Sequence, residues 1–371
     1  MRRKIFLSIV LLTVGVFFTG CTHDMNREEI DEIDLALVLG IDYANGGYEL
    51  TALYSTGAGA DSEAGSGSGK EETIKGKGDT AYEALEDLKL KNKKNITLAQ
   101  AGSFLVGEGA AENGIDISLD FLKRDETIKM ESLIYIIKGG EASAFIKKAI
   151  ENKQTIHEDL EAVKQKQLKL LTRNDNTLVN LLNDMQQSYS SVLIPYLIPG
   201  ESSFLIDGYA VFDQLRLKDY LDRETSDGVN FIRNIMRSFP IYLTDDVSLA
   251  VSYTNTKLKA DVENNLITVT IKVNFETMLK EITTKAGIFN RDELFRLTQE
   301  QNNYVRNVLE KPVNYSLQTG LDILNLARLV ENQNVGKWST LEANWTAAIP
   351  NIEYQYEVNS QITKSFILGD E

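Results

Sequence analysis

The sequence predicts a mixed α/β and α+β protein of several domains. Strand and helix layers are expected in its N-terminal part, and an antiparallel sheet covered by helices in its C-terminal part. Three observations lead there. Short apolar runs alternate with helical patterns between residues 35 and 194, as in layered strand-and-helix architectures. From Val247 the hydrophobic period becomes two, the mark of strands with one solvated face. About 350 residues follow the N-terminal leader, more than one hydrophobic core usually serves.

The leader comes first. Arg2, Arg3 and Lys4 precede an apolar or small-residue run from Ile5 to Phe18, closed by Thr19-Gly20-Cys21. As a helix this run spans about 21 Å, short of the roughly 30 Å hydrocarbon core of a bilayer, so residues 1–20 read as a signal peptide rather than a membrane span. Cys21 is the only cysteine. A lone cysteine after a small residue at such a junction looks like a bacterial lipobox, where the thiol receives a diacylglycerol and becomes the new N-terminus. Phe18 stands where Leu is usual. Two acyl chains hold a protein on a membrane stably where one is marginal, so residues 21–34 are expected to be a lipidated tether. Cleavage without lipid and a short uncleaved anchor are the alternatives. With its one sulfur alkylated, the exported chain has no thiol for a disulfide, a metal or redox chemistry.

Leu35 to Ile41 is near-continuously apolar, as a strand buried on both faces is. Asp42 ends it, where a carboxylate can cap the following turn, and Ala44-Asn45-Gly46-Gly47 makes that turn. Tyr48 to Tyr54 returns, with Tyr48, Leu50, Ala52 and Tyr54 on one face. Residues 57–71, rich in Gly, Ala and Ser, are a flexible loop. Asp79 caps a helix bearing Ala81, Leu85 and Leu88. Phe104–Val106 and Leu133–Ile137 are buried strands, and helices are expected over 116–124, 143–151, 158–171 and 177–187. These elements make an N-terminal α/β domain over 35–194.

Pro195 and Pro199 mark a boundary, and a middle α+β domain is expected over 195–255, with strands 204–212 and 217–221 and a helix 225–237. In the C-terminal α+β domain, 256–371, Leu258, Ala260 and Val262 alternate with charged residues. Asn264-Asn265 turns the chain, and Ile267 to Phe275 return. Helices over 291–309 and 315–329 follow. Tyr354, Tyr356, Val358 and Ile362 then alternate with polar residues in a closing strand.

Formal net charge is −15, from 39 basic and 54 acidic residues. Without Arg2, Arg3 and Lys4, 36 basic residues face 54 acidic ones, a net −18. Such a body is repelled by anionic headgroups and by nucleic acid, so neither is expected as a ligand. The basic stretch Lys89 to Lys94 ends a predicted helix, where cations complement the dipole. His23 and His157 lack ligand-spaced partners, so no metal or other cofactor is expected. Ala64 to Glu71 mimics a phosphate loop, but Ala64 replaces the first glycine and Glu71 the magnesium-binding hydroxyl. Gly107-x-Gly109 has Glu112 in place of a third glycine, and Glu108 and Glu112 oppose a pyrophosphate. No residue is assigned a catalytic role. The residues alone describe an anchored, non-enzymatic binding or scaffold protein.

Three stretches carry something more specific. The first is Arg27-Glu28-Glu29-Ile30 followed by Leu35-Ala36-Leu37-Val38-Leu39-Gly40-Ile41-Asp42. The second is Asp207-Gly208-Tyr209-Ala210-Val211-Phe212, continuing through Lys218-Asp219-Tyr220-Leu221 to Gly228-Val229-Asn230-Phe231. The third is Gly320-Leu321-Asp322-Ile323-Leu324 and Trp338 before the strand Ile352 to Ile362. Together they resemble the Ger(x)C family, the lipoprotein C subunits of nutrient germinant receptors in endospore-forming bacteria. The resemblance implies a three-domain mixed α/β body on the outer face of the spore inner membrane, held there through Cys21. It implies A and B membrane subunits as partners, and no enzymatic activity. It makes Asp42, Gly208, Tyr209, Phe212 and Leu221 candidates for partner contact or motif roles. The same residues also read structurally, the glycines permitting close strand packing and Tyr209 and Phe212 filling a core. The alternative function is a solute-binding lipoprotein that delivers a small nutrient to a transporter, which expects two similar lobes around a cleft.

Overall fold

The computed structural model describes residues 32–55, 71–172, 176–187, 189–200, 204–243, 247–264, 266–282 and 291–363. The expected signal peptide, Cys21, the expected tether to residue 31 and the expected loop over 57–70 lie outside the described residues.

β1 (Ile33–Ala44) begins two residues before its expected start and pairs antiparallel with β2 (Gly47–Ser55). Asn45 and Gly46 between them have φ of 54° and 84°, the left-handed pair that a tight hairpin turn requires and that Asn-Gly supplies. β3 (Glu71–Gly78) continues the antiparallel edge. It was not legible as a strand, because Ile74 is its only large apolar residue. α1 (Ala81–Lys91) starts one residue later than expected, with Thr80 rather than Asp79 at the cap. Thr80 Oγ1 accepts from the Glu83 amide at 3.1 Å, and Glu83 reaches back to the Thr80 amide at 3.3 Å, the reciprocal capping box.

From edge to edge the larger sheet runs β3, β2, β1, β5 (Ser103–Gly107), β6 (Leu133–Ile137), β7 (Val192–Pro199), β8 (Phe204–Asp213) and β9 (Arg216–Leu221). A short strand β4 (Asn95–Thr97) lies beside β1. The central strands β1, β5, β6 and β7 are parallel, and both flanks are antiparallel. Instead of one helix over 116–124, the chain forms α2 (Glu108–Asn113), α3 (Ile115–Ser118) and a 3₁₀ turn over Asp120–Lys123. Helices α4 (Ala142–Glu151) and α5 (Ile156–Leu170) cover one face of the sheet, while α1, α2, α3 and α6 (Leu178–Asp184) cover the other. Leu39 and Ile41 enter one core and Val38 the other, so β1 is buried on both faces.

The sheet crosses the boundary expected at 194/195. Val192–Pro199 is one strand containing both prolines, and β8 and β9 pair onto it in sequence. The expected middle segment is therefore shared. Its first two strands complete the larger sheet, its helix α7 (Arg223–Ile232) packs with the C-terminal elements, and its last residues, from Phe239 on, belong to the second sheet.

The second sheet has the order β10 (Phe239–Leu243), β11 (Val247–Glu263), β12 (Leu266–Ile282) and β13 (Glu353–Thr363). The β11–β12 hairpin buries Ala260, Val262, Ile267, Val269, Ile271, Val273 and Phe275. β13, however, joins β12 in parallel, from Thr268 opposite Glu353 to Met278 opposite Thr363. Parallel pairing needs a long crossover, and the covering helices supply it.

The first of them, α8, runs unbroken from Arg291 to Thr319 through Pro312, where two separate helices were expected. Pro312 has no N–H to offer the Val308 carbonyl. That carbonyl instead faces Gly228 of α7, where a Cβ would collide with it and with the proline ring. The two helices can touch there because residue 228 has no side chain. After α8 come α9 (Leu326–Gln333), α10 (Val335–Leu341) and α11 (Trp345–Ala348).

Candidate functional site

Asp42 stands at the end of the buried part of β1, and its side chain does not cap the following turn. Its Oδ1 accepts from the Ala142 amide at 2.7 Å and its Oδ2 from the Ser143 amide at 2.8 Å. These are the first two residues of α4, so the carboxylate meets amides that the helix itself leaves without partners, at the positive end of the dipole. Burial raises its pKa to about 6; the two amides and the Ser143 hydroxyl pull it down, and the Glu141 charge pushes it up.

Gly208 and Tyr209 form a second constellation. Gly208 has φ 153°, and a Cβ there would strike the Leu221 carbonyl and crowd Ser226, so the approach of β8 to β9 and α7 requires glycine. Next to it, the Tyr209 amide donates to Ser226 Oγ at 3.1 Å and its hydroxyl to Asn230 Oδ1 at 2.8 Å. Leu221 lies in the same buried cluster, while Phe212 points to the other face of the sheet. Asp42, Gly208, Tyr209, Phe212 and Leu221 are all buried, so they offer no direct surface to a partner. They hold β1 to α4 and β8 to α7.

Sequence reasoning passed over Asp322, quoted only as part of a motif. It is 1% exposed. Its Oδ1 accepts from the Leu326 amide at 2.7 Å, and its Oδ2 from the Ala327 amide at 2.7 Å and the Trp345 indole at 3.2 Å. Its backbone carbonyl accepts from the Ser191 amide at 3.0 Å, which ties α9 to the start of β7. Burial raises its pKa, opposed by those donors and by the Arg233 charge. The signal available was a Gly-x-Asp ahead of a helical pattern. A further group also went unnoticed. Lys138 sits over the Tyr196 and Tyr220 rings, at 4.5 and 4.8 Å from their centres, and the Tyr220 hydroxyl donates to Glu108 Oε2 at 2.5 Å.

Among the described residues, no group of three His, Cys, Asp or Glu side chains could hold a metal ion. No helix among them is long and apolar enough to cross a membrane.

Comparison with known proteins bears on both halves. Residues 26–199 match the family described as spore germination protein N-terminal domain, and residues 207–365 match spore germination B3/GerAC like, C-terminal. Spore germination protein KC of Bacillus subtilis (strain 168) is 20% identical over 380 residues, covering 93% of this chain and 91% of its own. Spore germination protein GerQC of Bacillus cereus is 18% identical over 366 residues, covering 96% and 98%. The crystal structure of the GerBC protein shares the fold, with a TM-score of 0.57 at 17% identity over 87% of this chain and 96% of that one. With both halves matched in order along nearly the whole sequence, the chain belongs to the Ger(x)C family of spore germination proteins.

Proposed function

We propose that this protein is the C subunit of a nutrient germinant receptor, anchored by a lipid on Cys21 to the outer face of the spore inner membrane. It works there by assembling with the A and B membrane subunits rather than by turnover. The observation that carries this reading is the end-to-end match of both halves to one germination family. The basic leader, the short apolar run and the Gly20-Cys21 junction support the anchor. The solute-delivery alternative needs two similar lobes, and the two sheets here differ in size and topology. An acidic body holds partners through a limited apolar patch with a polar rim rather than through broad charge attraction.

Deletion of the gene is expected to block germination with one set of nutrients while non-nutrient triggers still work, and Cys21→Ala is expected to do the same by releasing the protein from the membrane. Co-purification of the A and B subunits from spore membranes checks assembly directly. Normal nutrient germination after deletion, together with absence of co-purifying membrane subunits, would overturn the reading.

A further inference from the structure

The strand orders of the two sheets end in four edges, β3 and β9 on the larger, β10 and β13 on the smaller. Open edges invite pairing with another chain, and proteins blunt them with shortness, Lys, Pro, bulges or a covering element. Three of the four are blunted. β3 carries Lys75 and Lys77 and packs against α1, whose Asp87 accepts from the Lys77 amide at 2.7 Å. β9 has six residues, Arg216 and Lys218 among them, and shifts register against β8. β10 has five residues, one of them Pro240. β13 has none of these devices. It pairs with β12 without a register shift, contains no Lys, Arg or Pro, and has no strand beyond it among the described residues. Its core-facing row is unfinished. Val269, Ile271 and Val273 of β12 are fully buried, whereas their neighbours Tyr354, Tyr356 and Val358 on β13 stay partly exposed.

What this edge fits is its own copy. Pairing across a two-fold axis makes the two strands antiparallel, and residues directly opposite then share a face, so the axis must pass through a residue. Centred on Val358, the middle of the 11-residue strand, all of β13 pairs. Tyr354 meets Ile362, Tyr356 meets Ser360 and Val358 meets itself on the side covered by α8. On the solvated face Gln355 meets Gln361 and Glu357 meets Asn359. No acid faces an acid, and Glu357 is already paired with Lys272 at 2.7 Å. From Val358 to Thr363 the strand carries no charge. The formal −15 of the whole chain acts weakly beyond the roughly 8 Å screening length of physiological salt. We propose that two copies of this protein dimerise edge to edge through β13, joining their smaller sheets into one. The dimer needs no receptor subunit, so it stands or fails apart from the function proposed above.

The test uses the full-length protein in detergent micelles, its mass followed by native mass spectrometry over a dilution series. A mass of two chains is expected. In Val358→Cys the opposed Cα atoms lie about 4.5–5.5 Å apart, within disulfide reach, so mild oxidation should give a cross-linked dimer. Glu353→Cys holds its two thiols about 34 Å apart and should give only the background of the parent, whose one cysteine is Cys21. Gln355→Lys with Gln361→Lys sets like charges opposite each other twice and should weaken the dimer about 10-fold, whereas Gln355→Lys with Gln361→Glu should restore it. Both glutamines are exposed, so neither change burdens the fold. A single-chain mass throughout overturns the proposal, whether the edge is then bare, filled by a terminal segment of its own chain, or taken by a different protein. So does a dimer that cross-links equally through Glu353→Cys, or one that keeps its affinity with both lysines.

Discussion

Asp42 and Asp322 close similar tripeptides, Gly40-Ile41-Asp42 and Gly320-Leu321-Asp322, and both end as buried carboxylates on the first amides of a helix. They differ in reach and in company. Asp42 grips a helix 100 residues downstream, so it fastens a strand to a helix of another layer. Asp322 grips a helix four residues on, while its carbonyl and the Trp345 indole extend the contact to the larger sheet and to α11. Around Asp322 an indole and a guanidinium oppose the cost of burial; around Asp42 a glutamate adds to it. The same local device thus becomes a tie between layers in one half and a joint that gathers neighbouring helices in the other, and burial raises the carboxyl in both.

The comparison is broken most severely at Asp322. Asp322→Ala strands three buried donors, each costing roughly 1–3 kcal/mol, so a loss of about 4 kcal/mol is expected in urea unfolding. A loss under about 1 kcal/mol, the value of an ordinary exposed cap, would show that the joint carries little.

Asp42 sharpens the contrast through pH. Its folded-state value of about 6 lies above the ordinary 3.8. The stability it contributes is therefore fully present below the unfolded value and is lost as pH rises through about 6, because the folded state holds the proton longer. A rise of that size corresponds to about 3 kcal/mol. Asp42→Asn cannot ionise, so its stability relative to the parent should climb by about 2 kcal/mol between pH 4 and pH 7, the rest of the change falling below pH 4. Unfolding curves at the two pH values measure it, and a difference that does not change with pH would refute the account.

The smallest effect is expected at an exposed cap. Thr80→Ala should cost about 1 kcal/mol, since its partners remain open to water when the hydroxyl goes. Parallel unfolding of this variant calibrates how much burial adds at Asp322. A loss as large as that of Asp322→Ala would mean that burial is not the deciding factor.

Much of the fold was legible where a few neighbouring residues settle the outcome. Asn45-Gly46 announced its turn because only residues tolerant of positive φ serve there. The alternation from Leu258 to Phe275 announced a hairpin because one face of a strand must be apolar. The Gly208-Tyr209 segment was singled out as a motif, although its function as a packing joint was visible only once Leu221, Ser226 and Asn230 surrounded it. β3 escaped because an edge strand with one large apolar residue shows no period.

By itself, then, the sequence determined the lone Cys21 behind a basic and apolar N-terminal run, the acidic balance, the hairpins and most helices, all of which depend on composition or on neighbours within a turn or two. The tertiary structure alone decided that β7 carries the sheet past Pro195, that α8 passes through Pro312 against Gly228, that β13 lies parallel to β12, and that Asp42 caps α4. Each of these depends on a partner tens of residues away. A local pattern states what a segment can become, whereas the free energy that selects its partner comes from surfaces that meet only when the whole chain has folded.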